Sequence, residues 1–225
     1  MKPETALEHA TAALMAYCES TGHAEAAEIL KNPVTYEKSP FPVIENLCHL
    51  IAECRFEMAK KETKPAAVTN LKKLAKRQTK ANLGNPWITA DGRQVFCDKI
   101  TAVILEKPIG AFDTDPAKGK PDVEKILDIG RHGFGEVILP SLSALKNYLA
   151  QKKAEGKKDL PLKLAEGCVI NPEYLFEVLN IIDADRAIWA QKGRMLYITD
   201  GKNNEALICL IDPKAPKETG TIEEA

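Results

Sequence analysis

The feature that most constrains the fold is a repeated order of elements. Residues 66–105 and 171–211 each have the pattern of a helix followed by three strands, and each carries an Asp-Gly turn, at Asp91-Gly92 and Asp200-Gly201. A three-stranded meander must bury its apolar face, and a helix packed across it is one way to do so. Two such units side by side can share one sheet. The sequence therefore predicts an α+β domain of two helix-plus-antiparallel-meander units.

Helix and strand signals place these elements. The first helix is predicted at 66–81 and the second begins at Asn171-Pro172-Glu173, with Asn as N-cap and Pro in the first position. The predicted strands are 87–89, 95–97 and 101–105 in the first unit, and 187–190, 195–199 and 206–211 in the second. Between the units lie a Pro-, Gly- and Asp-rich excursion at 106–140, a helix at 141–154 and two possible strands at 160–164 and 168–170.

The chain divides into three parts. Residues 1–62 have helical periodicity and end at a charged break around residues 60–65. Residues 66–211 form the predicted α+β domain, with an insertion at about 106–165. Residues 213–225 are a polar tail that we expect to be disordered.

Cysteine usage and hydropathy predict a cytoplasmic protein without a membrane segment. The six cysteines include no CxxC pair, and most lie in apolar periodic runs, where a free thiol behaves as a small hydrophobe. The chain start has no apolar signal core, and no apolar run approaches the roughly 20 residues that span a bilayer. The net charge of −1 gives no global argument for nucleic acid, so such a function requires a local basic patch.

The second unit resembles the closing half of a bacterial sliding-clamp (DNA processivity factor) domain. In that family an N-x-x-Y-L-x-x-x-L helix precedes the last strands, and Asn171, Tyr174, Leu175 and Leu179 have that spacing. Residues 71–105 are similar to an opening half, with Trp87 to Gly92 as its hairpin and Cys97-Asp98 before the third strand. The resemblance covers about half of the chain.

This resemblance implies a clamp-like fold and a non-enzymatic, DNA-associated binding or accessory function, with replication or mobile-element proteins as possible partners. The chain departs from the family in three ways. Its two halves are separated by far more chain, its N-terminal helices have no clamp counterpart, and Cys209-Leu-Ile-Asp-Pro stands where the family has a P-V-R ending. Because the inserted chain can cover a sheet edge, we expect a monomer or homodimer and not a closed ring.

The candidate DNA-contacting residues lie on the first helix. A helical wheel places five cations on one arc, opposite Val68, Leu71, Leu74 and Ala75. These cations are Lys72, Lys73, Lys76, Arg77 and Lys80. Such a face can lie along a phosphate backbone without reading sequence, although a solvated helix surface is the common alternative. The second helix is acidic, with Glu173, Glu177, Asp183 and Asp185, and disfavours phosphate.

Other reactive residues give weaker patterns. Cys48-His49 with Cys54 has zinc-binding residue types, but its spacing fits no closed tetrahedral site and favours core packing. The run Gly130 to Gly135 lacks the Lys-Ser or Lys-Thr of a phosphate loop and favours a flexible turn, and His132 within it has no partner at a meaningful spacing. We therefore predict no catalytic residues, no metal and no cofactor.

Five aromatic residues are also candidates for stacking on bases, with core packing as the commoner role. They are Trp87, Tyr174, Phe176, Trp189 and Tyr197. Two alternative functions remain open at this point. One is a protein-interaction module without DNA affinity; the other is a small cytosolic enzyme with a site between the N-terminal helices and the loop around His132.

Overall fold

The structure is a computed structural model, which describes residues 12–13, 15–16, 19–20, 22, 53, 55–157, 160–212 and 219–222. The chain forms two compact units, 1–57 and 58–225. Within the predicted N-terminal helical region, residues 12–13, 15–16, 19–20, 53 and 55–62 are helical. The second unit, described below, contains both predicted repeats.

The second unit is α+β. Its helices are α1 (Pro65–Lys80), α2 (Val123–Arg131), α3 (Leu142–Ala154) and α4 (Pro172–Ile181). Its strands are β1 (Trp87–Ile88), β2 (Gln94–Cys97), β3 (Thr101–Leu105), β4 (Gly135–Glu136), β5 (Leu162–Ala165), β6 (Cys168–Ile170), β7 (Arg186–Ala190), β8 (Met195–Thr199) and β9 (Glu205–Cys209). The predicted cap of α4 is confirmed, since the Asn171 side chain accepts a hydrogen bond from Glu173 N at 2.8 Å.

The two meanders belong to one sheet, as the repeated pattern predicts. Seven strands follow the order β1-β2-β3-β9-β8-β7-β4, and every neighbouring pair is antiparallel. The last strands of the two units meet at the centre, where Thr101 is opposite Ile208 and Ala102 is opposite Leu207. Strands β5 and β6 form a separate two-stranded sheet.

Helices cover both faces of the large sheet. Helices α1 and α4 pack side by side on one face, α1 against β2 and α4 against β9, and α3 packs against α4. Because side chains alternate along a strand, Val95 and Cys97 of β2 lie on the opposite face, where Val123 and Leu127 of α2 join the same buried cluster. The sequence predicts the two helices on one face of the sheet. It does not predict helix α2 on the other face, because residues 106–140 are interpreted as an excursion without regular structure.

The inserted chain also occupies both edges of the sheet. Asp115 forms a bridge beside Trp87 of β1, and its N–H donates to Pro86 O at 2.8 Å. At the other end, β4 adds a short antiparallel strand to β7. The insertion is therefore part of the sheet architecture and not a separate excursion.

The glycine-rich run, which the sequence predicts to be a flexible turn, connects the end of α2 to strand β4. A Cβ atom at Gly130 would come within 2.9 Å of Tyr197 Cβ, and one at Gly133 would come within 2.7 Å of Trp189 O. At Gly135 it would meet the Trp189 indole at 3.0 Å. The glycines thus allow the end of α2 and strand β4 to approach β7 and β8 closely.

Residues 219–222 of the polar tail, which the sequence predicts to be disordered, contact the chain around β5. Gly220 N–H donates to Pro161 O at 2.8 Å, and Gly220 O accepts from Lys163 N at 2.9 Å. A Cβ atom at position 220 would lie 2.1 Å from the Tyr148 hydroxyl oxygen, so only glycine fits there without a shift. Residues 219–222 therefore lie alongside β5, parallel to it.

Candidate nucleic-acid interface

Helix α1 presents two distinct sides. Its apolar side, which includes Val68, Leu71 and Leu74, is buried. Gln78, also fully buried, accepts a hydrogen bond from Cys97 N at 3.0 Å through its side-chain oxygen. This contact fixes the rotation of α1 on the sheet, and with it the direction of the basic side.

Arg77 points towards neighbouring carboxylates and not outwards. Its Nε lies 2.5 Å from Asp98 Oδ2, and its Nη2 lies 2.7 Å from Glu177 Oε2. The guanidinium carbon is also 5.0 Å from the centre of the Tyr174 ring. Burial lowers the pKa of Arg77, but the contacts with Glu177 and Asp98 outweigh it, so the net pKa is raised and the charge is held.

Arg77 thereby joins three elements. The Asp98 side chain is only 3% exposed, and its Oδ1 accepts hydrogen bonds from the N–H groups of Ile100 (3.0 Å) and Thr101 (2.7 Å). Arg77 thus connects α1 with the β2–β3 turn and with α4. We assign it a structural role and leave it out of the candidate interface.

The acidic helix α4 is partly neutralised by cations of α1. Glu177 contacts Arg77, and Asp183, just beyond the end of α4, forms an ion pair with Lys64 at the start of α1. The sequence alone suggests that α4 repels phosphate, but two of its four noted carboxylates interact with neighbouring cations.

Three lysines form the outward side of α1, which we call the lysine face: Lys73, Lys76 and Lys80. All three are exposed, and no carboxylate among the described residues lies within 4 Å of their ammonium groups. Lys73 makes a 3.3 Å contact with Asn70 Oδ1, and Lys72 is half-buried. At about 1.5 Å rise per residue, the lysine face extends roughly 10 Å along the helix.

A second charged cluster, not anticipated from the sequence, lies beneath α2. The Glu205 carboxylate, 7% exposed, accepts hydrogen bonds from Arg131 at 2.8 and 2.7 Å, from Arg93 at 3.0 Å and from the Tyr197 hydroxyl at 2.6 Å. Burial raises the pKa of Glu205, but the Arg131 and Tyr197 contacts outweigh it and the net pKa is lowered. Both oxygens are occupied, so the cluster anchors α2 to the sheet.

Of the other reactive candidates, His132 lies in the part of the chain that the structure describes. The His132 side chain is 78% exposed, and its Nδ1 contacts Asp128 O at 2.9 Å. Cys48, His49 and Cys54 lie outside the described residues, within which no group of three or more metal-ligating side chains occurs. None of the helices described in this chain is long and apolar enough to cross a membrane.

The five aromatic residues have different environments. Trp87 and Tyr197 are buried in the core beneath α2, which agrees with the packing role. Trp189 is half-buried and meets the exposed Phe134 ring edge-on at 5.7 Å, and Tyr174 lies beside Arg77. Phe176 is half-buried on α4. The lysine face remains the candidate site, because its three exposed lysines lie on one side of α1 with no described carboxylate within 4 Å.

Comparison with known proteins finds no matching family model, no significantly similar curated protein and no significantly similar solved structure.

Proposed function

We propose that this chain is a non-enzymatic, DNA-associated accessory protein with a clamp-like second unit, and that the lysine face of α1 contacts the phosphate backbone. The observation that carries the proposal is the division of cations on α1. Lys64 and Arg77 pair with carboxylates on or beside α4, while Lys73, Lys76 and Lys80 are exposed and have no carboxylate of the described residues within 4 Å.

The clamp-like assignment is supported by the arrangement of the two repeats. Both meanders share one antiparallel sheet, and α1 and α4 pack side by side on the same face of it. In this arrangement the exposed side of α1 is directed away from the sheet, where it can contact a nucleic-acid backbone. Replication or mobile-element proteins are the proposed biological context.

Lysines that contact phosphates act by releasing counterions, so binding should be independent of sequence and should weaken steeply with salt. The exposed Glu173 on α4 and the net charge of −1 oppose strong binding by a single chain. We therefore expect weak affinity that is measurable at low ionic strength.

Fluorescence anisotropy with duplex and single-stranded DNA at several salt concentrations tests this function. Changing Lys73, Lys76 and Lys80 together to Gln should weaken binding to all sequences and lower the salt slope by roughly one per lost contact. A matched control changes Lys118, Lys125 and Lys192 to Gln, three exposed lysines outside α1. The control variant loses the same number of positive charges but should keep the DNA affinity and the salt dependence of the wild-type chain.

If both triple variants lost the same DNA affinity, binding would depend on net charge and not on the lysine face. If no binding occurred at high micromolar protein, the DNA contact would be excluded. Either result would make a protein-interaction module the leading hypothesis. A separate observation favours that second candidate function: Phe134 and Ile138, the two most exposed large apolar side chains among the described residues, flank the short strand β4 in the sequence.

A further inference from the structure

Strands β5 and β6 form a small sheet whose outer edges are both contacted by chain that follows β9. At the edge of β6, Ile211 N–H donates to a strand carbonyl at 2.8 Å. At the edge of β5, Gly220 N–H donates to Pro161 O at 2.8 Å, and Gly220 O accepts from Lys163 N–H at 2.9 Å. Among the described residues, 219–222 make no other backbone hydrogen bond. The edge of β5 is therefore paired through a single residue.

A groove of about 280 Å³ lies beside this edge. It is lined by Ile138, Pro140, Leu162, Lys163, Leu164 and Ile222. Residues 219–222 contribute only Ile222, which is half-buried, whereas Ile138 remains 85% exposed. The segment 219–222 therefore fills this groove only in part.

The Tyr148 hydroxyl lies directly against the docked segment. Tyr148 is on α3 and only 6% exposed, and no described residue forms a hydrogen bond with its hydroxyl oxygen. A Cβ atom at position 220 would overlap this oxygen, so the segment passes Tyr148 as bare glycine backbone. A buried hydroxyl without a partner is unfavourable, because its hydrogen bonds to water are lost. The docked segment thus has an unpaired polar group directed at it.

We propose that the edge of β5 and its groove bind an extended peptide of another protein, and that residues 219–222 occupy this site in cis. The segment shows what the site takes: a chain parallel to β5, with glycine where it passes Tyr148 and an aliphatic residue two positions later. Strand addition of this kind combines backbone hydrogen bonds at a sheet edge with pockets for alternate side chains. The site does not involve the lysine face, so it does not depend on the proposed DNA contact.

The cis segment is held weakly enough to be displaced. Its two backbone hydrogen bonds and the Ile222 contact must offset the conformational entropy of the ordered residues and the unpaired Tyr148 hydroxyl. A partner peptide that also covers Ile138 buries apolar surface that the segment leaves exposed. A second copy of this chain offers the same segment, but at a lower effective concentration than the segment already present in cis. These contacts therefore favour a longer peptide of a different protein.

Fluorescence anisotropy of the full chain with a labelled peptide of the sequence 217–224 tests the site. Gly220→Val releases the cis segment, because the new side chain overlaps Tyr148. This variant should bind the peptide about tenfold more tightly than the wild-type chain, as expected when the cis segment occupies the site about nine-tenths of the time. Thr221→Val, at the exposed neighbouring position, is the matched control and should bind like the wild type. A peptide that carries the Gly220→Val change should not bind.

Hydrogen exchange of single amides locates the site. Lys163 N–H, which donates to Gly220 O, should lose protection in Gly220→Val and regain it when the peptide is added. Ile211 N–H, bonded at the edge of β6, should keep its protection throughout.

Three results would overturn the proposal. One is the absence of peptide binding to Gly220→Val at about 1 mM. Another is equal binding of the peptide to Gly220→Val and to the wild-type chain. The third is a wild-type dimer in light scattering that Gly220→Val converts to a monomer, because the segment would then be exchanged between two copies.

Discussion

Glu205 shows how a single carboxylate can hold an element in place. It lies on β9 beneath α2 and receives hydrogen bonds from Arg131 on α2, Arg93 beyond β1 and Tyr197 on β8. Removing the Glu205 carboxylate would leave its buried donors without an acceptor. The resulting loss of stability is larger than the net stability that the hydrogen bonds contribute, because the donors remain desolvated and unpaired.

We expect Glu205→Gln to lower the free energy of unfolding by about 2 kcal/mol at neutral pH, since a neutral amide replaces a charged acceptor. Urea unfolding monitored by circular dichroism measures the change. Glu166→Gln is the matched control, because Glu166 is an exposed glutamate whose partner is the nearby Lys163. An unchanged unfolding midpoint in Glu205→Gln would show that the cluster does not anchor α2.

The same carboxylate predicts a pH dependence of stability. The folded-state pKa of Glu205 lies below its ordinary value, so its contribution is fully present above that ordinary value, about 4.3. The contribution is lost as the pH falls through the lowered folded-state pKa. The difference in the free energy of unfolding between wild type and Glu205→Gln should therefore become smaller at acidic pH. A difference that grows there would show that the folded-state pKa of Glu205 is not lowered.

At the scale of elements, α1 and α4 depend on each other through Arg77. The helical wheel places Arg77 with the lysines because it sees only α1, whereas the partner carboxylate Glu177 comes from a helix 100 residues later. Spacing along one helix cannot reveal a contact of that kind. The sequence therefore places five cations on one arc of α1 but cannot separate the half-buried Lys72 and Arg77 from the exposed Lys73, Lys76 and Lys80.

This separation can be tested with two variants one position apart. Arg77→Gln should lower the free energy of unfolding by about 2 kcal/mol, because Asp98 and Glu177 both lose their cation in a half-buried setting. Lys76→Gln should leave the unfolding midpoint unchanged but weaken DNA binding at low salt. Chemical unfolding and anisotropy titrations on the same preparations give both values. If Arg77→Gln weakened only DNA binding and Lys76→Gln lowered only the stability, Arg77 would belong to the interface and Lys76 would have the structural role.

Helix α2 and strand β4 were not predicted, and the reasons differ. The signals for α2 were present, with Asp122 as N-cap accepting from Lys125 N at 3.2 Å and apolar Val123 and Leu127 four residues apart. The surrounding Pro, Gly and Asp residues are typical of a loop, so this short periodic pattern does not predict a helix. Strand β4 has only two residues and its pairing depends on β7, some 50 residues later, so no local pattern identifies it.

At the scale of the whole unit, the repeated pattern predicts six of the seven strands of the large sheet, all except β4. The positions of the meanders follow from alternating apolar residues and the two Asp-Gly turns, which are local features. The joining of β3 to β9, and the covering of the second sheet face, depend on contacts between distant segments. The repeat therefore predicts the units, while packing determines how they combine.

Because β3 and β9 pair at the centre of one sheet, we expect the two meanders to unfold together. Ile104→Ala on β3 and Ile198→Ala on β8 each remove a fully buried side chain, and each should cost about 2 to 5 kcal/mol. Hydrogen exchange should then show reduced protection in the strands of both meanders for either variant, since opening one removes hydrogen-bond partners of the other. Ile100→Ala, at an exposed position, serves as the control and should preserve protection. If each core variant lowered protection only in its own meander, the two repeats would be independent folding units that merely share an edge.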